Sequence, residues 1–179
     1  MIGSSDPEGV YMGIFSGLFP VQRAATTYDI DFQGLYDKGY RGLIFDIDNT
    51  LVGHGEPADE RAVRLFDDLR TIGFDTCLIS NNQEPRVAPF AKSVKSRYVF
   101  DAHKPSPGHY LKACELMGLE KDKVLFIGDQ IFTDVWGANR AGIRSILVGR
   151  LYFHEEIQIH LKRILEKIVM AFYPGDREL

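Results

Sequence analysis

Short apolar runs alternate along this chain with segments of helical periodicity, and that alternation limits the fold more than any other feature. "GLIFDI" is followed by "ADERAVRLFDDLRTIG", "DTCLIS" by "PRVAPFAKSV", and a short run "RYVFDA" by "SPGHYLKACELMGL"; then come "KVLFIGD", "TDVWGANRAG" and "SILVG". Runs that are apolar on both faces suit strands of a parallel sheet covered by helices, because parallel neighbours need long crossovers. The rhythm therefore predicts an α/β three-layer sandwich with a central five-stranded parallel sheet and right-handed connections.

Composition sets the scale and narrows the partners. With 179 residues and 45% hydrophobic content, one compact domain is affordable. Residues 1–41 read as an apolar segment and lead-in, 42–150 as the core, and 151–179 as an amphipathic helix and tail. A net charge of -4 gives no general electrostatic reason to expect nucleic acid as a partner. Cys77 and Cys114 lie far apart in apolar surroundings and read as core residues rather than a disulfide. His54, His103, His109, His154 and His160 lack the paired spacing of a zinc site. The apolar stretch Tyr11–Val21 is shorter than the ~20 residues that span a bilayer. Asp6 and Glu8 stand where a secretory signal carries positive charge, so a soluble cytoplasmic protein is expected.

Polar residues at the carboxyl ends of parallel strands converge in one crevice. In "DIDNT", Asp46 and Asp48 occupy such an end, although Asp, Asn and Thr also build turns and helix caps. "LIS" runs into Ser80, Asn81 and Asn82; "FIGDQIFTD" ends in Gly128 and Asp129, followed by Asp134; Lys104 lies between them in "HKPSP". Two like charges ~4 Å apart cost about 4 kcal/mol at an effective dielectric near 20, so clustered carboxylates here call for cations. Hard oxygen donors without thiolate or paired imidazole favour Mg²⁺, and Lys104 supplies a second positive charge.

In order, "DIDNT", Ser80, Lys104 and "GDQIFTD" resemble the four motifs of the haloacid dehalogenase (HAD) superfamily of phosphohydrolases, over about Gly42 to Gly149. "GLIFDIDNTLV", "SNNQEPRVAPFAKS", "KPSP" and "GDQIFTDVWGANRAG" look like the YqeG-type branch of subfamily IIIA, whose relatives include phosphatidylglycerophosphate phosphatases. The resemblance implies a HAD-like Rossmannoid fold and a Mg²⁺-dependent phosphomonoesterase. It makes Asp46 the nucleophile that forms an aspartyl-phosphate, and Asp48 the acid/base. It also implies that Ser80, Asn81 and Lys104 hold the phosphoryl group, and that Asp46, the Asp48 backbone carbonyl and Asp129 hold the metal. Asp134 and Thr50 would support from behind. Asp134 has a lesser reading as a carboxylate stabilising a helix N-terminus, while Asn49, Asn81 and Asn82 have a turn-forming reading beside the chemical one. Gly128 is expected to permit close backbone approach.

Neither Thr50–Ser80 nor Ser80–Lys104 has room for an inserted domain of ~50 residues, so an open cleft without a large cap is expected, unless a second copy of the chain supplies a lid. Such a cleft admits a phosphate borne by a bulky or lipid-linked molecule. Ile157, Leu161, Ile164, Leu165, Ile168, Val169 and Phe172 recur at helical spacing beside Lys162, Arg163 and Lys167. That stripe reads as packing on the core or on a second copy, or as peripheral contact with an anionic membrane. Small sugar or nucleotide phosphates are the alternative substrates. A non-catalytic, phosphate-responsive module is the alternative class, and a receiver-like switch is disfavoured because Asp46 lies on the first core strand and Lys104 precedes Asp129.

Overall fold

The computed structural model describes residues 16–151 and 165–179. Its sheet contains β1 (Gln22–Ala24), β2 (Gly42–Phe45), β3 (Asp75–Ile79), β4 (Arg97–Val99), β5 (Val124–Gly128) and β6 (Arg144–Val148). All neighbours are parallel and the order is β1-β6-β5-β2-β3-β4. Five of these are the strands legible in the sequence. The sixth, β1, is a three-residue edge strand paired with β6, from Gln22 opposite Ile146 to Ala24 opposite Val148. "QRA" is too short and too polar to carry a period; its partner's backbone makes it a strand.

Helices α1 (Phe32–Asp37), α2 (Glu60–Ile72) and α3 (Glu84–Val94) cover one face, and α4 (Gly108–Met117) and α5 (Trp136–Ala141) the other. The β2 side chains show why the strand reads as a continuous apolar run. Leu43 and Phe45 pack with Phe32, Phe66, Leu69 and Phe90 on one side, whereas Ile44 packs with Tyr110, Ala113 and Phe126 on the other. All three strand residues are fully buried. Cys77 and Cys114 are free and buried in that second layer, as expected.

Helix ends follow local chemistry. The Asp59 carboxylate accepts the Ala62 N–H at 2.7 Å to start α2, and Gly73, at φ +115°, closes it in the left-handed region. The run expected to be helical from Thr133 instead opens with a π turn, Ile131–Val135, that leads into α5. α1 was not foreseen; its short amphipathic stretch buries only Phe32 and Leu35.

The flanking segments meet the core through a third cluster, Phe19, Ile131 and Val169. Residues 165–171 are helical; Val169 is buried, while Leu165, Ile168 and Phe172 are exposed. Part of the expected amphipathic helix, including Ile157, Leu161 and Ile164, and most of the apolar stretch before Phe19, lie outside the described residues. No described helix is long and apolar enough to cross a membrane.

Candidate active site

The site forms where β2, β3 and β5 end and the chain turns away from the sheet. The β2 ladder continues one residue beyond the strand, since Asp46 N–H donates to the Ile127 carbonyl at 3.0 Å. A tight turn follows: Leu51 N–H donates to Ile47 at 2.9 Å, Asn49 N–H donates to Val52 at 2.7 Å, and Asn49 sits at φ +65°, a conformation that asparagine tolerates. Thr27 and Tyr28 brace this turn from behind, their hydroxyls donating at 2.7 Å to the carbonyls of Thr50 and Leu51. Thr50 is buried there, and its own hydroxyl meets no hydrogen-bond partner among the described residues.

Lys104 is the centre of the inner half. Its ammonium donates to Asp46 and, at 2.7 Å, to Asp134 Oδ1, and all three side chains are buried. Burial opposes the Lys104 charge, but Asp134 and Asp46 outweigh it and hold the lysine pKa above its ordinary value. Burial likewise pushes the Asp46 carboxyl up to about 7, with Lys104 pulling it down and Asp134 pushing it up. The other oxygen of Asp134 accepts the Gln130 N–H at 3.0 Å. One Asp134 oxygen thus caps the turn and the other meets the Lys104 ammonium. Gly128 makes this possible, because a Cβ there would lie 2.5 Å from Asp134 Oδ2.

Asp46, Asp129 and Asp134 offer carboxylate oxygens all within 4.8 Å of one another. Three buried hard-oxygen donors fit a small divalent cation, and Asp134 joins the pair expected from sequence as a candidate ligand.

Asp48 belongs to a different environment. Its carboxylate accepts from Gly55 N–H at 2.8 Å, Asn82 Nδ2 at 2.7 Å and Arg86 Nη2 at 3.0 Å. Arg86 was not foreseen: a lone arginine beside two prolines in "QEPRVAP" carries no signal, and only the fold brings it to Asp48. Ser80 Oγ accepts the Asn82 N–H at 3.1 Å, which aims Asn82 toward Asp48. Asn81 is turned to the backbone of Lys104, accepting its N–H at 2.7 Å. Asp46, Asp48, Ser80, Asn81 and Lys104 nonetheless line one cleft of about 210 Å³, and His54, also unforeseen, lies on its rim.

The far side of the π turn is held by residues distant in sequence. Tyr110 Oη donates to the Thr133 carbonyl at 2.8 Å, and the buried Glu166 carboxylate accepts the Ile131 N–H at 2.8 Å. Glu166 had no sequence signal; it sits in a helical run whose apolar stripe dominates the pattern.

Residues 102–157 match the HAD-hydrolase-like family model. The chain is 34% identical over 153 residues to a Bacillus subtilis protein named "Probable phosphatase YqeG", covering 85% of this chain and 89% of that one. It is 25% identical over 143 residues to phosphatidylglycerophosphate phosphatase 1 of Arabidopsis thaliana, covering 71% of this chain but 39% of that longer protein. Among solved structures, a HAD-superfamily hydrolase from Ehrlichia chaffeensis superposes with a TM-score of 0.52 at 18% identity, over 72% of this chain and 97% of that one.

Proposed function

The chain belongs to the YqeG-type branch of the HAD phosphatases, and from that premise we propose a Mg²⁺-dependent phosphomonoesterase working through an aspartyl-phosphate on Asp46. The observation that carries this reading is the Lys104 ammonium shared between Asp46 and Asp134, within a set of three carboxylates at the carboxyl end of the sheet. Asp46, Asp129 and Asp134 would hold the metal, which when bound supplies positive charge to the carboxylates and to the phosphoryl oxygens.

The chain's own groups divide the rest of the work. An Asp46 oxygen attacks phosphorus; a new P–O bond forms as the ester P–O bond breaks, and Asp48 gives its proton to the departing alkoxide. In the second displacement Asp48 takes a proton from water, the water oxygen bonds to phosphorus, and Asp46 leaves as a carboxylate. Lys104 offsets charge on Asp46 and the transferring group throughout. Asn82, Arg86 and the Gly55 N–H hold the Asp48 carboxylate toward the leaving oxygen.

The substrate we propose is phosphatidylglycerophosphate. Support comes from the Arabidopsis relative's named activity and from the open cleft, which admits a phosphate borne by a bulky molecule. A substrate of this kind requires work at a membrane surface. The test measures phosphate release by wild type and Asp46→Asn, in Mg²⁺ and in chelator, across mixed-micelle phospholipid and soluble sugar and nucleotide phosphates. Release that needs both Mg²⁺ and Asp46, and that is fastest on the lipid, supports the reading. Equal or faster turnover of soluble esters would remove the lipid assignment, and release by Asp46→Asn would remove the mechanism.

A further inference from the structure

Beside the catalytic cleft runs a second depression of about 230 Å³, between the loop carrying Gly55, Pro57 and Ala58 and the α3 face carrying Pro85, Arg86, Pro89, Phe90 and Ser93. The two depressions share a wall. Asp48 lines the cleft, and its Oδ1 accepts from Gly55 N–H and from Arg86 Nη2, both of which belong to the groove. A leaving oxygen that takes its proton from Asp48 therefore departs next to the groove's mouth.

The lining chemistry is unusual for an outward helix face. Pro85, Pro89 and Ser93 recur at i, i+4 and i+8, where a solvated helix commonly carries charged side chains. Pro89 stands inside the helix and offers no N–H to the carbonyl of Pro85. The helix thus gives up a hydrogen bond to present a rigid apolar wall. Of the two polar side chains there, Ser93 is spent, its hydroxyl donating to the Pro89 carbonyl at 3.0 Å. The other is Arg86, whose buried Nε has no acceptor among the described residues.

Resting on the phosphatase reading above, we propose that this groove is the leaving-group site and that its occupant is an amphiphile: an acyl or alkyl chain joined through an anionic phosphodiester to the released alcohol. The chain lies along Pro57, Ala58, Pro85, Pro89 and Phe90, and Arg86 meets the phosphodiester at the junction with the cleft. A sugar or nucleoside fits this lining poorly, because its many hydroxyls would surrender water to a largely apolar wall with few polar groups.

The test uses three soluble phosphomonoesters: dioctanoyl phosphatidylglycerophosphate, its deacylated head group, and glycerol 1-phosphate, which lacks the phosphodiester. All three release an alkyl alcohol and depend on Asp48 alike, so ratios of kcat/KM isolate recognition. Wild type should prefer the acylated over the deacylated ester by about tenfold or more. Ser93→Trp and Ala58→Trp, filling the groove from its two walls, should each cut that preference about fivefold, with Lys112→Trp on the exposed face of α4 as control. Arg86→Gln should lower the preference for the deacylated head group over glycerol 1-phosphate by about tenfold. An active enzyme whose acyl preference survives both groove-filling variants, with folding verified by circular dichroism, overturns this proposal alone. Wild type that releases phosphate from no ester in Mg²⁺ overturns the parent reading, and this one with it.

Discussion

The two halves of the site are built on opposite principles. The inner half sets Lys104 against Asp46 and Asp134, with side chains 5%, 9% and 0% exposed. The outer half sets Asp48 against Arg86 and Asn82, the ion pair being 13% and 21% exposed. Where water is excluded, a charge must be matched in place, since an unpaired ion is costly to bury. Where water reaches, an ion pair contributes less energy and serves to hold direction. In the proposed reaction the inner half is therefore a fixed electrostatic frame for phosphorus, and the outer half an adjustable boundary with the leaving group.

The strongest challenge to that contrast removes the proposed nucleophile. Asp46→Asn keeps the shape of the inner half, and kcat should fall by at least about 1,000-fold, measured as steady-state phosphate release. If the mutant keeps more than a few per cent of activity, the inner half is not the reacting centre.

Next in size is Lys104→Met, which strands Asp46 and Asp134 without their cation. Chemical denaturation in chelator should register a loss of about 3–5 kcal/mol, whereas Arg86→Met in the outer half, where Asp48 keeps Asn82 and the Gly55 N–H as donors, should cost less, about 1–2 kcal/mol. Equal losses would erase the distinction between frame and boundary.

Acidity sharpens the same point. In metal-free protein, burial lifts Asp46 from 3.8 to about 7. The folded state then binds its proton more tightly than the unfolded chain, so the associated stability is complete below about pH 4 and drains away as pH rises through about 7. Melting temperatures in chelator should show Asp46→Asn gaining on wild type across that window, with a ceiling of about 4 kcal/mol. Saturating Mg²⁺ should shrink the gain; an identical gain with and without the metal would place the cation elsewhere.

The smallest effect concerns what holds the frame from outside. Glu166→Ala leaves the buried Ile131 N–H without its acceptor and should cost about 1–3 kcal/mol. Glu166→Gln keeps an acceptor and should recover most of it. If the frame depends on this prop, the Mg²⁺ concentration at half-maximal activity should rise in the alanine variant and return toward wild type in the glutamine variant.

The contrast also explains what could be read early. Asp46, Asp48, Ser80, Lys104 and Asp129 were legible because each closes or follows an apolar strand-like run, and a parallel sheet sends all such ends to one edge. Arg86, Asn82 as partner of Asp48, and Glu166 were not: they sit within helices or turns whose local pattern is dominated by other needs, and their roles exist only across 34 to 38 positions of chain. The place of Asn81 beside Ser80 suggests a phosphate contact through its backbone; that its side-chain amide clasps the Lys104 backbone emerges only from the fold.

Periodicity and motif order by themselves determined the layered α/β class, the edge at which the site lies and the identity of its carboxylates and its lysine. Tertiary structure alone decided the sixth strand, the twofold bonding of Asp134, the partners of Asp48 and the apolar groove behind it. These depend on distances between segments far apart in sequence, and no local pattern of side chains encodes a distance until the core has packed.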